Sequence, residues 1–319
     1  MIQSMEVVME QKRMIAFDVG GTKTDAVLFR QDGTVEKHII APGYNPLDMG
    51  FAAASSGIED VLKTLCAEVS GPIAAIYGGV ACVEYFGDRM QEYLRAHIPA
   101  EHIRIEGDGP CLISAMLGHC DGACMICGTG SALYVRKGDD YDHIGGWGYL
   151  IDSCGSGFIL GKKAVLAAIR AHDGRGEKTL LTDLLHQKCG EDITAHFETL
   201  YGRGRAYIAS FAATVFEAAR RGDSVAQEII DSCVADLNEM VQAAGRRFTE
   251  PFNLVLNGGI FRHFPEYVAA LKALAPTHAR MIDSDAPPVF GGAVEAMWDA
   301  QCACDADFKL RFMAGYENG

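Results

Sequence analysis

The sequence has little positive charge and no long hydrophobic run. Its 319 residues include 28 Lys and Arg against 42 Asp and Glu, a formal net charge of −14. Binding to a nucleic-acid backbone or to an anionic membrane surface requires clustered positive charge, so this balance argues against both kinds of partner. No segment approaches the roughly 18 consecutive apolar residues of a membrane-spanning helix, so we expect no transmembrane helix.

Several well-known functional signatures are also missing. The sequence contains no GxxxxGK[ST] P-loop, no HExxH zinc motif and no Gly-x-Ser-x-Gly elbow. Residues 1–13 lack the basic-then-apolar order of a secretory signal, and we interpret them as a tail ahead of the first strand. The eleven cysteines are an odd number spread through apolar segments, which is typical of free thiols in a reducing compartment. We therefore expect a cytoplasmic protein.

A glycine turn between two strands is the first clear motif. The apolar run 14–17 leads into Asp18-Val19-Gly20-Gly21-Thr22-Lys23-Thr24, and residues 25–29 are predicted to form the next strand. A further strand at 35–40 would complete a three-stranded antiparallel meander. Glycine lets phosphate oxygens approach backbone N–H groups closely, while the threonine hydroxyls and the lysine add donors. Asp18 could hold Mg²⁺ through waters, because this ion keeps much of its hydration. An ordinary hairpin turn explains the same residues equally well.

The strand–turn–strand pattern recurs about 110 residues later, which suggests two similar lobes. Residues 123–127 and 132–136 are predicted strands around Gly128-Thr129-Gly130-Ser131. Either turn alone can be structural, but two such turns in matching contexts favour a polyphosphate held from both sides. Helices are predicted over 50–69, where Ile58, Val61, Leu62 and Leu65 have helical spacing, and over 206–221. A third turn, Asn257-Gly258-Gly259, follows an apolar strand and opens a helix, where an adenine or ribose could lie against the backbone.

Asp108 lies just after a predicted strand, in Glu106-Gly107-Asp108-Gly109-Pro110. A carboxylate at this place could accept a proton from an acceptor hydroxyl during phosphoryl transfer. Asp is also a preferred N-cap residue and Pro favours the first helical turn, so Asp108 could cap a helix that starts near Pro110, a role that does not exclude the first. Gly146 and Trp147 place an indole among glycines, where it could contact a sugar or anchor the core.

With these motifs in this order, the chain from Met14 to Trp298 resembles the actin-like ATPase superfamily, which includes the sugar kinases and hexokinase. It is most similar to the N-acetylglucosamine kinases and to the related activator ATPases of benzoyl-CoA reductase and 2-hydroxyacyl-CoA dehydratase. The three glycine turns match the two phosphate motifs and the adenosine motif of that family, and Ala209 matches its upstream adenosine segment. The residues that the resemblance assigns to ATP are Gly20, Gly21, Thr22, Lys23, Thr24, Gly128, Thr129, Gly130, Ser131, Ala209, Gly258 and Gly259.

The resemblance implies an α/β, two-lobed actin-like ATPase (ribonuclease H-like) fold, with mixed five-stranded sheets and a cleft between the lobes. The expected divisions are a tail at 1–13, an N-terminal lobe at 14–118 and a C-terminal lobe at 119–319, whose last helix could pack back on the first lobe. It also implies ATP and Mg²⁺ as cofactors and a homodimer. The expected reaction transfers the γ-phosphoryl group to a small sugar, most closely an amino sugar such as N-acetylglucosamine.

On the acceptor side, the resemblance implies that Asp108 is the catalytic base and that Asn45, Gly146 and Trp147 contact the sugar. One segment departs from the family, which typically reads Gly-Asp-Glu-Gly-Ser where this chain has Asp152-Ser153-Cys154-Gly155-Ser156. The sugar-binding aspartate falls on Ser153, and Asp152 stands one residue earlier. A one-residue shift at a helix start rotates a side chain by about 100°. Either Asp152 replaces the contact with altered geometry, or the acceptor differs.

Two other functions fit the same fold. One is an ATPase that activates a redox partner, a role that in the related activators requires an iron–sulfur cluster bound between two subunits by cysteines. Cys120, Cys124 and Cys127 have a cluster-like spacing, but the odd offset within a predicted strand sends the last two side chains to opposite faces. The other is a sensor that binds a sugar without turnover, which the change at Ser153 and Cys154 would allow.

Overall fold

A computed structural model describes residues 11–67, 69, 71–138 and 140–318. Most of the tail predicted at 1–13 therefore lies outside the described residues, as does Asp139. The chain divides into two compact units, one formed by residues up to His119 together with those from Asp285 onward, and the other by Cys120–Ser284. The segment after Asp285 contains two helices. The first unit therefore includes both of these C-terminal helices, whereas the sequence suggested only that the last helix packs on the first lobe.

The first unit contains five strands, six α-helices and a short 3-10 helix in its described residues. In chain order its elements are β1 (Arg13–Val19), β2 (Lys23–Arg30), β3 (Val35–Pro42), α1 (Pro46–Met49), α2 (Phe51–Cys66), β4 (Ile73–Val80), the 3-10 helix Val83–Phe86, α3 (Arg89–His97), β5 (Ala100–Glu106), α4 (Asp108–Leu117), α12 (Pro288–Asp299) and α13 (Phe308–Tyr316).

The first sheet has the strand order β3-β2-β1-β4-β5. Its first three strands form the antiparallel meander that the sequence predicts, and β4 and β5 continue it in parallel with β1. Every residue of β4 is buried, as expected for a central parallel strand covered on both faces. Helix α2 buries Ile58, Leu62 and Leu65 against this sheet, and their helical spacing is the pattern that predicted it.

The second unit contains five strands and seven α-helices among its described residues. Its elements are β6 (Gly122–Cys127), β7 (Ser131–Lys137), β8 (Asp140–Ile144), α5 (Gly157–His172), α6 (Leu181–Cys189), α7 (Phe197–Ala209), α8 (Ala212–Arg220), α9 (Ser224–Gly245), β9 (Phe252–Asn257), α10 (Gly259–His263), α11 (Pro265–Leu274) and β10 (Ala279–Asp283).

The second sheet repeats the arrangement of the first, in the order β10-β9-β6-β7-β8. Strands β6, β9 and β10 are parallel, while β7 and β8 are antiparallel to their neighbours. The single helix predicted over 206–221 is instead two helices, because Ser210 and Phe211 separate α7 from α8. In the part of the chain that the structure describes, no helix is long and apolar enough to cross a membrane.

Candidate active site

In the first unit, the carboxyl ends of three parallel strands bring the candidate groups together. Asp18 of β1 pairs with Gly79 of β4, and Gly79 pairs with Glu106 at the end of β5. Asp108 follows Glu106 by two residues, and a side-chain carbon on Gly79 would lie 3.6 Å from the Cα atom of Asp108. Ligands of open α/β sheets bind outside the carboxyl ends of strands, so this edge is the expected position for a site.

The first glycine turn is short and closely supported. The Gly20 N–H donates to the Lys23 carbonyl over 2.9 Å, which closes the turn, while Gly21 and Thr22 at its tip are exposed. Gly43 packs against the turn, since a side-chain carbon there would lie 2.6 Å from the backbone nitrogen of Thr22. No local motif marks Gly43, because its role depends on contact between segments about 20 residues apart.

The hydroxyl of Thr24 and the ammonium group of Lys23 have different surroundings, although both belong to the predicted phosphate motif. Thr24 is 1% exposed, and its hydroxyl has no hydrogen-bond partner among the described residues. The Lys23 side chain is about half exposed, and its Nζ lies 3.0 Å from a carboxylate oxygen of Asp25. The backbone at the turn tip and the Lys23 ammonium group are therefore accessible to a phosphate, whereas the Thr24 hydroxyl is buried beneath them.

Asp18 is an acid with an unusual environment. Burial, followed by the nearby charges of Asp108 and Asp25, raises the pKa of Asp18 to about 7, and Lys23 partly opposes this. A divalent cation would favour the ionised carboxylate, so the residues fit a magnesium ion held by Asp18 and by phosphate oxygens. No group of three or more His, Cys, Asp or Glu in the described residues could hold a metal ion, but Mg²⁺ bound with a nucleotide needs only one or two carboxylates.

Replacing Asp18 by asparagine should stabilise the ligand-free protein at pH 8. The folded-state pKa of about 7 lies above the ordinary aspartate pKa of 3.8, so folding stability falls as pH rises from about 4 to about 7. This penalty is complete at pH 8 and absent below about pH 4. Since each pKa unit corresponds to about 1.4 kcal/mol, the gain at pH 8 should be on the order of 4 kcal/mol.

Urea denaturation of both proteins at pH 8 and pH 5 measures this difference. The advantage of Asp18→Asn should shrink at pH 5, and Asp60→Asn on the exposed face of α2 serves as a control that changes neither value. A variant that is less stable than the wild type at pH 8 would contradict the account of Asp18.

Asp108 does not act as the helix cap that its sequence context allows. Helix α4 begins at Asp108 itself, and the N-cap position is occupied by Gly107 without a side-chain hydrogen bond. The capping interpretation is therefore wrong, and the carboxylate lies in the first turn of α4, where the helix dipole favours negative charge. The helix is held from behind by α12, whose Gly291 is so close that a side-chain carbon there would lie 1.7 Å from the Cys111 carbonyl oxygen.

Glu84 is a neighbour of Asp108 that the sequence did not reveal. It lies in the 3-10 helix Val83–Phe86, and its Oε1 would lie 1.9 Å from a side-chain carbon on Gly107. Burial and the Asp108 charge raise the pKa of Glu84. No local motif marks Glu84, because its position depends on the turn after β4 meeting the turn after β5.

Asn45, a predicted sugar contact, is 4% exposed. Its Oδ1 accepts a hydrogen bond from the Leu47 N–H over 2.9 Å and so caps α1, and its Nδ2 lies 3.9 Å from the Cys82 sulfur. Cys82 has a φ of 66°, an uncommon conformation for a residue other than glycine. The structure therefore places Asn45 against the loop after β4, with its side chain engaged by protein groups.

In the second unit, the turn Gly128-Thr129-Gly130-Ser131 is joined to the start of α5. The Gly157 N–H donates to the Gly128 carbonyl over 2.8 Å, and the Phe158 N–H donates to the Thr129 carbonyl over 3.0 Å. Thr129 and Gly130 are exposed at the tip. Ser131 is buried, and its hydroxyl donates to the Cys154 carbonyl over 2.5 Å, so it supports the turn from below.

The adenosine-type turn lies beside this second phosphate turn. Strands β6 and β9 pair in parallel through Ile126 and Asn257, and a side-chain carbon on Gly258 would lie 2.3 Å from the Cys127 carbonyl oxygen. Ala209 ends α7 close to the start of α5, since its Cβ would lie 3.6 Å from a side-chain carbon on Gly157. The structure thus brings together Gly128, Gly258, Gly259 and Ala209, four of the residues predicted to contact ATP.

Gly146 and Trp147 follow β8, close to Ser131, the last residue of the second phosphate turn. Gly146 has a φ of 76° and lies against Ala132 and the Ser131 carbonyl, which leaves no space for a side chain. The Trp147 ring is 54% exposed, and its centroid lies 4.6 Å from that of the His143 ring. The indole is therefore a surface group supported on one side, rather than a core anchor.

Ser153 and Asp152, the two residues at which the family's sugar-binding aspartate could be placed, make different contacts. Ser153 is 5% exposed, and its hydroxyl donates to that of Ser156 over 2.9 Å. Ser156 is in turn the N-cap of α5. Asp152 is half-buried and accepts a weak hydrogen bond from the Cys154 thiol over 3.2 Å. Ser153 thus supports the start of α5, and Asp152 is the only carboxylate at these two positions.

The BadF/BadG/BcrA/BcrD ATPase family model matches residues 17–297 of this sequence. The chain belongs to this ATPase family. The match runs from the strand before the first glycine turn to the end of α12, so both units fall within it. The family assignment is the one that the glycine turns suggested from the sequence alone.

Two relatives and one solved structure agree with this assignment. The N-acetylmuramic acid/N-acetylglucosamine kinase of Clostridium acetobutylicum is 28% identical over 248 residues, which cover 73% of this chain and 79% of the relative. The N-acetyl-D-glucosamine kinase of Dictyostelium discoideum is 29% identical over 275 residues, covering 79% and 86%. A crystal structure of a candidate N-acetylglucosamine kinase from Chromobacterium violaceum superposes with a TM-score of 0.71 at 22% identity, covering 88% of this chain and 97% of the other. The predicted fold class is confirmed.

Proposed function

We propose that this protein is an ATP-dependent kinase that phosphorylates a hydroxyl of a small sugar, most closely an amino sugar such as N-acetylglucosamine. The observation that carries the proposal is the arrangement at one edge of the first sheet, where Asp18 and the glycine turn at the end of β1 and Asp108 after β5 lie on either side of the end of β4. These are the groups that a phosphoryl transfer needs, namely a metal ligand, a phosphate-binding backbone and a base. The kinase names of the two relatives support the same reaction.

Each unit has ATP-binding residues of its own in this proposal. The first unit provides the turn from Gly20 to Thr24, in which backbone N–H groups and Lys23 bind phosphate oxygens. The second unit provides the exposed tip at Thr129 and Gly130, and Gly258, Gly259 and Ala209 contact the adenosine. Glycine turns suit this task because they present several N–H groups to an anion without side-chain obstruction.

In the proposed reaction, the acceptor hydroxyl oxygen forms a bond to the γ-phosphorus as the bond to the β–γ bridging oxygen breaks. ADP leaves with that oxygen, and the hydroxyl proton passes to the Asp108 carboxylate. Asp18 would hold Mg²⁺, which when bound offsets negative charge on the phosphates. The first turn of α4 fixes Asp108 in place, so that the base is positioned before the acceptor arrives.

Asn45, Gly146, Trp147 and Asp152 form the proposed acceptor side. The exposed Trp147 ring offers an apolar face to a sugar, and Asp152 offers a carboxylate to its hydroxyl groups. Because Ser153 is committed to the start of α5, we assign the contact of the family aspartate to Asp152. Assembly as a homodimer and a cytoplasmic location stay predictions of the sequence.

A coupled ADP-release assay with a panel of hexoses, hexosamines and N-acetylhexosamines tests the proposal. We expect release that depends on a sugar and is greatest for an amino sugar, and we expect Asp152→Asn to raise the KM for that sugar by about tenfold or more, as loss of a charged hydrogen bond predicts. Asp183→Asn, in the first turn of α6, is a matched control that should leave this KM unchanged.

Two outcomes of the assay would favour a different function. ADP release that is independent of every sugar would indicate an ATPase of the activator type, for which a brown, iron-containing preparation would be further support. Sugar binding by calorimetry without any ADP release would indicate a sensor. Either result would overturn the kinase assignment.

A further inference from the structure

A buried carboxylate, Asp25, lies two residues after Lys23 and has no role in the reaction proposed above. It is 1% exposed. Its oxygens contact three donors, which are Nζ of Lys23 at 3.0 Å, Nε2 of His38 at 2.9 Å and the hydroxyl of Tyr316 at 2.7 Å. An ionised carboxylate is costly to bury unless it is paired and hydrogen-bonded, so these contacts explain how Asp25 is tolerated there.

The donors come from distant parts of the chain. Lys23 belongs to β2 and His38 to β3, whereas Tyr316 is the last residue of α13 and stands 291 positions after Asp25. The Tyr316 and His38 rings also pack together, with centroids 4.4 Å apart. The C-terminal helix therefore reaches the strand that leaves the phosphate turn.

One oxygen atom of Asp25 connects α13 to Lys23. Lys23 and Tyr316 both approach Oδ2 of Asp25, while His38 approaches Oδ1. The lysine side chain is long and about half exposed, so without a partner its ammonium group would sample many positions. With Oδ1 and Oδ2 both engaged, the carboxylate has a fixed orientation, and it gives the ammonium group one defined partner at 3.0 Å.

We propose that Asp25, His38 and Tyr316 are positioning residues that hold the Lys23 ammonium group at the phosphate turn, so that the last helix contributes to ATP binding. They act through Lys23 and do not touch the nucleotide. The inference rests on the proposed function, because it assigns Lys23 to a phosphate of ATP.

The attachment of α13 does not depend on the Tyr316 hydroxyl. Phe308 and Phe312 pack edge-on against Phe29 of β2, with ring centroids 6.2 and 5.9 Å apart. Nε of Arg311 also donates to the Asp32 carbonyl over 2.5 Å. Removing one hydroxyl group from this helix should therefore leave the helix in place, and an effect on ATP binding can be separated from unfolding.

The test is a double-mutant cycle on ATP affinity in the full-length protein, measured by calorimetry with MgATP. Tyr316→Phe should raise the Kd for ATP by about five- to tenfold, as expected for loss of a hydrogen bond to a charged group, and should leave the KM for the sugar unchanged. Lys23→Met should raise the Kd at least as much. In the double variant, Tyr316→Phe should add nothing to Lys23→Met, because the lysine through which it acts is gone.

Tyr201→Phe, which removes a hydroxyl from an 85% exposed tyrosine in α7, is the matched control and should not change the Kd. Asp25→Asn should raise the Kd at least as much as Tyr316→Phe.

An unchanged Kd in Tyr316→Phe, or effects of Tyr316→Phe and Lys23→Met that multiply in the double variant, would overturn the inference alone. A wild-type protein that binds ATP without sugar-dependent ADP release would overturn the kinase assignment. The double-mutant cycle on ATP affinity could still be measured and would still test the inference. A wild-type protein that binds no ATP would overturn both.

Discussion

Replacing Asp108 by asparagine should lower kcat by about a thousandfold, because general-base catalysis typically contributes between a hundredfold and ten-thousandfold. The asparagine side chain has nearly the same shape but cannot accept the proton of the acceptor hydroxyl. Affinity for ATP should change by no more than about threefold, since the base makes no contact with the nucleotide in the proposed mechanism. Single-turnover ADP release and calorimetric ATP titration measure the two quantities separately.

Asp88→Asn is a suitable control for this experiment. Asp88 is exposed before α3 and forms no side-chain capping hydrogen bond, so the same chemical change should leave both kcat and ATP affinity at the wild-type level. Retention of more than a tenth of the wild-type turnover by Asp108→Asn would remove Asp108 from the role of base. The assignment of kinase activity to the protein would be unaffected.

Replacing Gly258 by alanine should damage both the stability of the second unit and ATP binding. Gly258 has a φ of 110°, and a side-chain carbon would lie 2.3 Å from the Cys127 carbonyl oxygen. Backbone strain and overpacking each cost about 1–3 kcal/mol. We therefore expect a loss of roughly 3 kcal/mol, which for a unit of this size lowers the Tm by about 6–12 °C.

The neighbouring glycine provides the control for this prediction. A side-chain carbon on Gly259 would meet no heavy atom within 4 Å, and the residue begins α10, so Gly259→Ala should melt within about 2 °C of the wild type. Thermal unfolding followed by circular dichroism compares the two variants. In an ATP titration, the Kd of Gly258→Ala should be at least tenfold higher than that of the wild type, since the adenosine turn would be displaced. A Gly258→Ala protein that melts with the wild type would show that the turn can relax without cost.

The sequence predicted the glycine turns well because their signals are local. A run such as Asp18 to Thr24 contains its own turn residues, and the apolar strands on either side need no distant partner to be recognised. The predicted strands 25–29 and 123–127 lie within β2 and β6 for this reason. The mixed five-stranded sheet of each unit was predicted from the family resemblance that these motifs carry, rather than from the motifs themselves.

Elements without a local signal were missed. Strand β10 (Ala279–Asp283) has no fully buried residue, and β8 (Asp140–Ile144) is polar and lies at the edge of its sheet. Neither has the apolar alternation that marks a strand. Helix α7 was predicted to begin at 206, but it begins at Phe197 and is interrupted at Gly204, where φ is 67°. The non-helical conformation of Gly204 interrupts the helical spacing of the side chains in α7, so the sequence does not show one continuous helical pattern.

The sequence by itself determined which chemical groups are available, namely two hydroxyl-bearing glycine turns, an adenosine-type turn, and carboxylates at Asp18 and Asp108. The tertiary structure decided which of them meet. Parallel pairing of β1, β4 and β5 places Asp18 near Asp108, and packing of α13 brings Tyr316 to Asp25 across 291 residues. The physical reason is that a turn forms from its own residues, whereas a buried carboxylate can be satisfied by any donor that the fold brings within hydrogen-bonding distance.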